Sequence, residues 1–298
     1  MGNDQRAPDP AAALEASGDY RVLRKLPRRG REFAPEEGAV RLGVILDIET
    51  TGLDPASDEI IELGMLKFSF SSDGRVFKVV DEFEALREPQ VPLPGEVTKL
   101  TSITAEMLAG KTINLEQVSA FLEGVVLVIA HEARFDRPFC EALFPVFATR
   151  YWACSNSEVD WRARGHRGTK LTYLLNDFGY FYDGHRALDD CHAVLEVLTQ
   201  VLPGATDSPF GELLKNARRA SVRIWAEDAP FEHKDALRGR GYRWSDGANG
   251  SRRAWWTDVD EDAVDAEVSY LRQAFFADQP VEFPMQRITG MDRFSRRA

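Results

Sequence analysis

The chain has 298 residues, 44% hydrophobic and 29% charged, with a formal net charge of −11, a make-up that fits a soluble folded protein of one sizeable domain plus a small one. It excludes a membrane-spanning helix, because no run approaches the roughly 18 apolar residues one needs. The opening MGNDQR carries no basic stretch before an apolar core, so a secretory signal is not expected. Cys140, Cys154 and Cys191 are the only cysteines and show no paired spacing, which argues against a disulfide framework or thiolate zinc site and for a reducing, cytoplasmic setting.

In chain order, residues 1–40 form an N-terminal extension with one predicted short helix, over residues 13–26, and no evident core. From Arg41 the texture changes. RLGVILDIE is an apolar run ending in acids, and IIELGMLKFSF and VFKVVDEFEAL alternate as two further strands. The SSDG turn between the latter two predicts an antiparallel meander. ITAEMLAG reads as a helix capped by Thr104 and closed by Gly110, and NLEQVSAFLEG as another helix. VVLVIAH reads as a buried strand. RFDRPFCEALFPVF, KLTYLLNDFG and ALDDCHAVLEVLTQVL are helical, the last closed by Pro203-Gly204. Strands followed by alternating strands and helices predict a mixed α/β sheet with helices on both faces.

Residues 204–217 read as a linker. Beyond them, residues 218–278 predict a small α+β domain: strand SVRIWAE, helix FEHKDALRGRG, strand YRWSDG, a turn at Asn249-Gly250, strand RAWWTDV, and helix EDAVDAEVSYLRQAFF. Residues 279–298 form a tail. In the small domain Trp225, Tyr242, Trp244, Trp255 and Trp256 alternate with Arg238, Arg240, Arg243, Arg252 and Arg253. These aromatics are read first as the core such a small domain needs, with stacking on a nucleic-acid strand as the other reading.

The negative charge is unevenly spread. Residues 41–200 carry 15 Lys/Arg against 25 Asp/Glu, and residues 201–298 carry 15 against 16. The acid excess sits where carboxylates can hold cations, and an enzyme that meets phosphates through divalent ions needs less basic surface.

Three acidic motifs stand out. Asp47 and Glu49 are two residues apart on a strand, so they share a face at its end; a cation relieves their repulsion, and oxygen ligands suit Mg²⁺ or Mn²⁺. A strand end emerging into water is the bland alternative. On a helix wheel starting at Phe135, Asp136 falls at about 100°, between Phe139 at about 40° and Cys140 at about 140°, on the apolar face. Helix capping is its other possible role. In HRALDDCHAVLEV, Asp190 falls above Val194 and Val197, whereas Asp189 shares a polar strip with His192 and Glu196. Asp190 is therefore the inward acid, and His185 stands just ahead of it. Four acids at the ends of buried elements are costly to fold without divalent cations. They are also the ligand set of a two-metal phosphoryl-transfer site.

DIETTG, a helix carrying FD, and HRALDD before a long helix resemble, in this order and spacing, the DEDDh (DnaQ-like) 3′→5′ exonuclease family, which includes proofreading epsilon subunits of bacterial DNA polymerase III. The resemblance covers about residues 40–202, and implies an exonuclease domain at residues 41–203 with an RNase H-like fold. It further implies two Mg²⁺ or Mn²⁺ ions on Asp47, Glu49, Asp136 and Asp190, and His185 as the general base, a role histidine suits near neutral pH. Thr50, Thr51 and Gly52 would meet the terminal nucleotide, with Leu53 as an apolar wedge. The implied partner is a nucleic acid with a free 3′ end, DNA favoured over RNA; a DNA polymerase partner is an analogy only, and no membrane is involved. The activity would serve repair, turnover or proofreading. One departure is Glu132, where relatives carry Asn four residues before the second-motif acid.

Overall fold

The computed structural model describes residues 10–27, 32–201, 207–247, 252–275 and 281–297. The first element is helix α1 (Pro10–Ala16), followed by the two-residue strand β1 (Arg24–Lys25). The single helix expected over residues 13–26 is thus a shorter helix and a strand, because Ser17 and Gly18 close the helix. The N-terminal segment is also not detached: β1 pairs in parallel with β7 (Tyr180–Phe181), and Leu26 and Phe33 pack on the main core.

The central sheet has five strands in the order β4 (Val76–Leu86), β3 (Ile60–Ser71), β2 (Val40–Thr50), β5 (Val125–Ala130) and β6 (Trp152–Cys154). The first three form the expected antiparallel meander; β5 and β6 run parallel to β2. Alternation along β2 sends Val44, Leu46 and Ile48 to one face and Ile45 to the other. On the Ile48 face lie α4 (Leu115–Phe121) and α5 (Ala133–Leu143). On the Ile45 face lie α6 (Leu171–Asp177), α7 (Ala187–Thr199) and α8 (Pro209–Arg218). Two short helices, α2 (Gly95–Thr101) and α3 (Ala105–Leu108), fill the β4–β5 connection, with Thr104 accepting from the Met107 amide as α3's cap. The architecture is a mixed α/β, RNase H-like sheet covered on both faces, with a second, smaller sheet beyond it.

α8 corrects the linker expectation of residues 204–217 from Ser208 onward. Ser208 caps it, Pro209 opens it, and Phe210, Leu213 and Leu214 bury against the main core. The Pro203-Gly204 stop and the Asn249-Gly250 turn lie outside the described residues.

The second sheet has the order β11 (Met285–Ile288), β8 (Ser221–Ala226), β10 (Trp255–Asp260), β9 (Arg243–Trp244), backed by α9 (Lys234–Gly239) and α10 (Val264–Phe275). Trp225, Tyr242 and Trp255 are buried there, while Trp244 is exposed and Trp256 half-buried. The expected tail is structural. It supplies β11 and then returns to the central domain, where the buried Arg137 guanidinium donates to the carbonyls of Gly290 (3.1 Å), Met291 (2.6 Å) and Arg293 (2.6 Å). Among the described residues no helix is long and apolar enough to cross a membrane.

Candidate active site

β2 carries Asp47 and Glu49 to its C-terminal end, both on the face that α7 covers. α7 brings Asp190 in its first turn, and ligand oxygens of Asp47, Glu49 and Asp190 all lie within 4.8 Å of one another. Asp189 is not in this trio. Asp136 arrives from the first turn of α5 and is buried, at 2% exposure. It stands outside the trio but close enough for its charge to bear on Asp47.

The electrostatics are those of crowded acids. Desolvation and the charges of Asp190, Asp136, Glu49 and Glu62 hold Asp47 well above the usual carboxylate range. Glu49 is pushed up to about 8 by desolvation, then by Asp190 and Glu62, with Arg186 opposing. Asp136 is also raised well above its ordinary value, first by burial and then by Glu132 and Glu49, although the amides of Asp136 and Ile48 favour its charge. Its Oδ2 is buried with no hydrogen-bond partner. A buried carboxylate oxygen left unpaired is expensive. An all-oxygen donor set with one orphaned oxygen fits a hard divalent cation.

Asp190 is tightly held. Tyr182 donates to its Oδ1 (2.7 Å), and the amides of His185 (2.9 Å) and Arg186 (3.2 Å) donate to its Oδ2. His185 is exposed at the rim, and its backbone lies in the left-handed region at φ 69°, an uncommon conformation for a residue with a Cβ.

Two residues that position this segment were not singled out from the sequence. Glu62 on β3 is fully buried and opposite Glu49 in the β2–β3 ladder. Its Oε1 accepts from Arg186 Nε (2.9 Å) and Nη2 (2.7 Å), and its Oε2 from the Ala187 amide (3.0 Å), satisfying one of α7's free N-terminal donors. A lone acid inside the apolar run IIELG was the available signal for Glu62. Tyr182 offered no comparable signal.

The loop after β2 is internally tied. Thr50 Oγ1 donates to the Gly52 carbonyl (2.6 Å), and Thr51 Oγ1 accepts from the Glu59 amide (2.9 Å). A Cβ at Gly52 would meet the Asp58 carboxylate at 2.5 Å, so a larger residue there would require the Asp58 side chain to move. Leu53 projects outward, 83% exposed. Glu132 precedes α5 without capping it through its side chain; Asn156 donates to that side chain instead, and its charge adds to the acid load on Asp136.

The fold and the carboxylate cluster define a nuclease-like α/β domain, and comparison with known proteins gives its family. Residues 44–198 match the RNase_T family model, described as Exonuclease. The chain belongs to this exonuclease family. It is 32% identical over 168 residues to the DNA polymerase III subunit epsilon of Treponema pallidum, covering 52% of this chain and 74% of that protein. It is also 32% identical over 167 residues to the PolC-type DNA polymerase III of Caldanaerobacter subterraneus subsp. tengcongensis, over 53% of this chain but only 11% of that polymerase. Among solved structures, E. coli Exonuclease I in complex with a 5cy-dA13 oligonucleotide shares the fold, with a TM-score of 0.50 and 14% identity over 82% of this chain and 75% of that one.

Proposed function

We propose that the protein is a divalent-metal-dependent 3′→5′ exonuclease that removes nucleoside 5′-monophosphates from the 3′ ends of nucleic acid, DNA in preference to RNA. The observation that carries this reading is the convergence of Asp47, Glu49 and Asp190 within 4.8 Å, with a partnerless Asp136 oxygen behind them. Kinship with polymerase III subunits supports DNA as the substrate.

In this reading Asp47, Glu49, Asp136 and Asp190 hold two ions, Mg²⁺ or Mn²⁺. When bound, such ions lower the pKa of water and stabilise charge on attacking and leaving oxygens. His185, at the rim and fixed through its amide to Asp190, takes the proton of the attacking water. The water oxygen bonds to the terminal phosphorus as the P–O3′ bond breaks, and the shortened strand keeps a 3′-hydroxyl. The loop of Thr50, Thr51 and Gly52 shapes the terminal-nucleotide pocket, and the outward Leu53 packs against the last base. Thr50 and Thr51 already spend their hydroxyls inside the loop, so they act by holding its backbone.

The test is degradation of matched 5′-labelled DNA and RNA strands with Mn²⁺, with released products resolved by chromatography. Stepwise ladders and 5′-mononucleotides, faster on DNA, are expected. Internal cuts, or 3′-mononucleotides, would overturn the reading.

A further inference from the structure

Between α5 and the second sheet lies a cleft of about 470 Å³, walled by the first turns of α5, by β8 and β10, and by the C-terminal segment. The half-buried Trp256 lines it. The Arg223 guanidinium lies 4.1 Å from the indole centroid and that of Arg243 5.2 Å from it. A guanidinium stacked on a ring keeps its in-plane N–H edge free for a planar or tetrahedral oxyanion. Arg134 enters from α5, two residues ahead of Asp136.

The charges here are poorly matched. Arg223 is paired with Asp258 (2.8 Å) and Arg293 with Glu158 (2.5 Å). Arg134 and Arg243 form no ion pair among the described residues. Burial, then the charge of Arg134, works against the charge on Arg243; Asp258 opposes them and Arg223 adds to them. The fold therefore holds like charges together in a space that is open to solvent, an arrangement that a polyanion relieves. One side chain of the cleft wall reaches the loop after β2. Arg296 on that wall pairs with Asp54 (3.3 Å), the residue after Leu53 in the loop that follows Asp47 and Glu49.

We propose that this cleft binds the phosphodiester backbone of the single strand leading into the active site, with phosphates on Arg134 in the cleft wall and on Arg243 beside Trp256, whose ring holds the Arg223 and Arg243 guanidiniums in place. This rests on the exonuclease reading, which puts the 3′ end at the carboxylates. Contacts to phosphates alone position a strand without reading its sequence.

The test is fluorescence anisotropy of fluorescein-labelled dT12 and rU12 with the full chain in EDTA, across a salt series. Arg134→Glu and Arg243→Glu are each expected to weaken binding about tenfold and to make the salt dependence shallower by about 0.7 units of log–log slope per lost phosphate contact. Arg134→Lys should retain most of the affinity. Arg134 is exposed and unpaired, so its variants test the cleft even if Arg243→Glu disturbs the small sheet. Absence of strand binding by the wild type, or wild-type affinity and slope in Arg134→Glu, would overturn the proposal. Cleavage of a dinucleotide by the wild type in Mn²⁺ is scored separately. A chain that cleaves it while the reversal leaves binding unchanged keeps its exonuclease function and loses the cleft. A chain that cleaves nothing but binds through Arg134 keeps the cleft and loses the exonuclease reading.

Discussion

Arg186 and Glu62 lie 124 residues apart in sequence and meet beneath the site, with Arg186 Nη2 2.7 Å from Glu62 Oε1. The pair locks the start of α7 to β3 and thereby fixes His185 and Asp190. Arg186→Ala leaves the buried Glu62 without its cation, and because the Arg186 side chain is itself 35% exposed the expected cost is about 1–3 kcal/mol. Urea unfolding should show a loss of that order, together with reduced turnover because the His185 backbone loses its anchor. Unchanged stability would mean that water replaces the guanidinium.

Gly64 sets how closely α7 approaches the sheet. A Cβ there would meet the Ala187 carbonyl carbon and the Leu188 amide nitrogen, both at 2.5 Å. These are backbone atoms, so the helix itself must move. Gly64→Ala is expected to destabilise by about 1–3 kcal/mol, the usual range for overpacking, and to cut activity by displacing Asp190. Thermal unfolding and strand degradation on the same preparation check both.

The carboxylate cluster should weaken the metal-free protein. Asp47→Asn removes one of several mutually repelling acids, so in EDTA its Tm should rise above that of the wild type. Adding Mn²⁺ should raise the wild-type Tm, since a ligand that binds only the folded state stabilises it, and should raise that of Asp47→Asn far less. Equal Mn²⁺ shifts would separate the metal from Asp47.

The C-terminal segment gives a pH-dependent contribution. Burial works to raise the Glu141 carboxyl, but hydrogen bonds from Arg297, Ser295 and Arg137 outweigh it and hold it below its ordinary value. A carboxyl lowered in the folded state adds stability above its unfolded pKa, and this is lost as pH falls through the folded value. Glu141→Gln should therefore lower Tm at pH 7 and narrow its gap to the wild type as pH drops below about 4. A gap independent of pH would assign the effect to packing.

Much of the site's architecture was legible because local patterns carry it. The apolar run into Asp47 and Glu49 marks a buried strand ending in acids, and helix periodicity separates Asp190 from Asp189 and turns Asp136 inward. The Glu62–Arg186 clamp was not legible, since neither residue announces a partner at such separation. α8 was missed because Gly204 to Pro209 reads as a break, while its apolar face finds a partner only in the folded core. β11 and the Arg137 contacts were missed for a related reason: a four-residue strand has too little alternation to detect, and carbonyl acceptors leave no mark in side-chain pattern.

The most direct measurement is the single-turnover rate of shortening a 5′-labelled DNA strand in Mn²⁺ by the wild type, Asp190→Asn and His185→Ala. The wild type should release the 3′-terminal nucleotide stepwise. Asp190→Asn should abolish turnover, and His185→Ala should slow it by about 10²–10⁴-fold, the range for loss of a general base. Near wild-type rates in Asp190→Asn would contradict the central claim that these carboxylates hold the reacting centre.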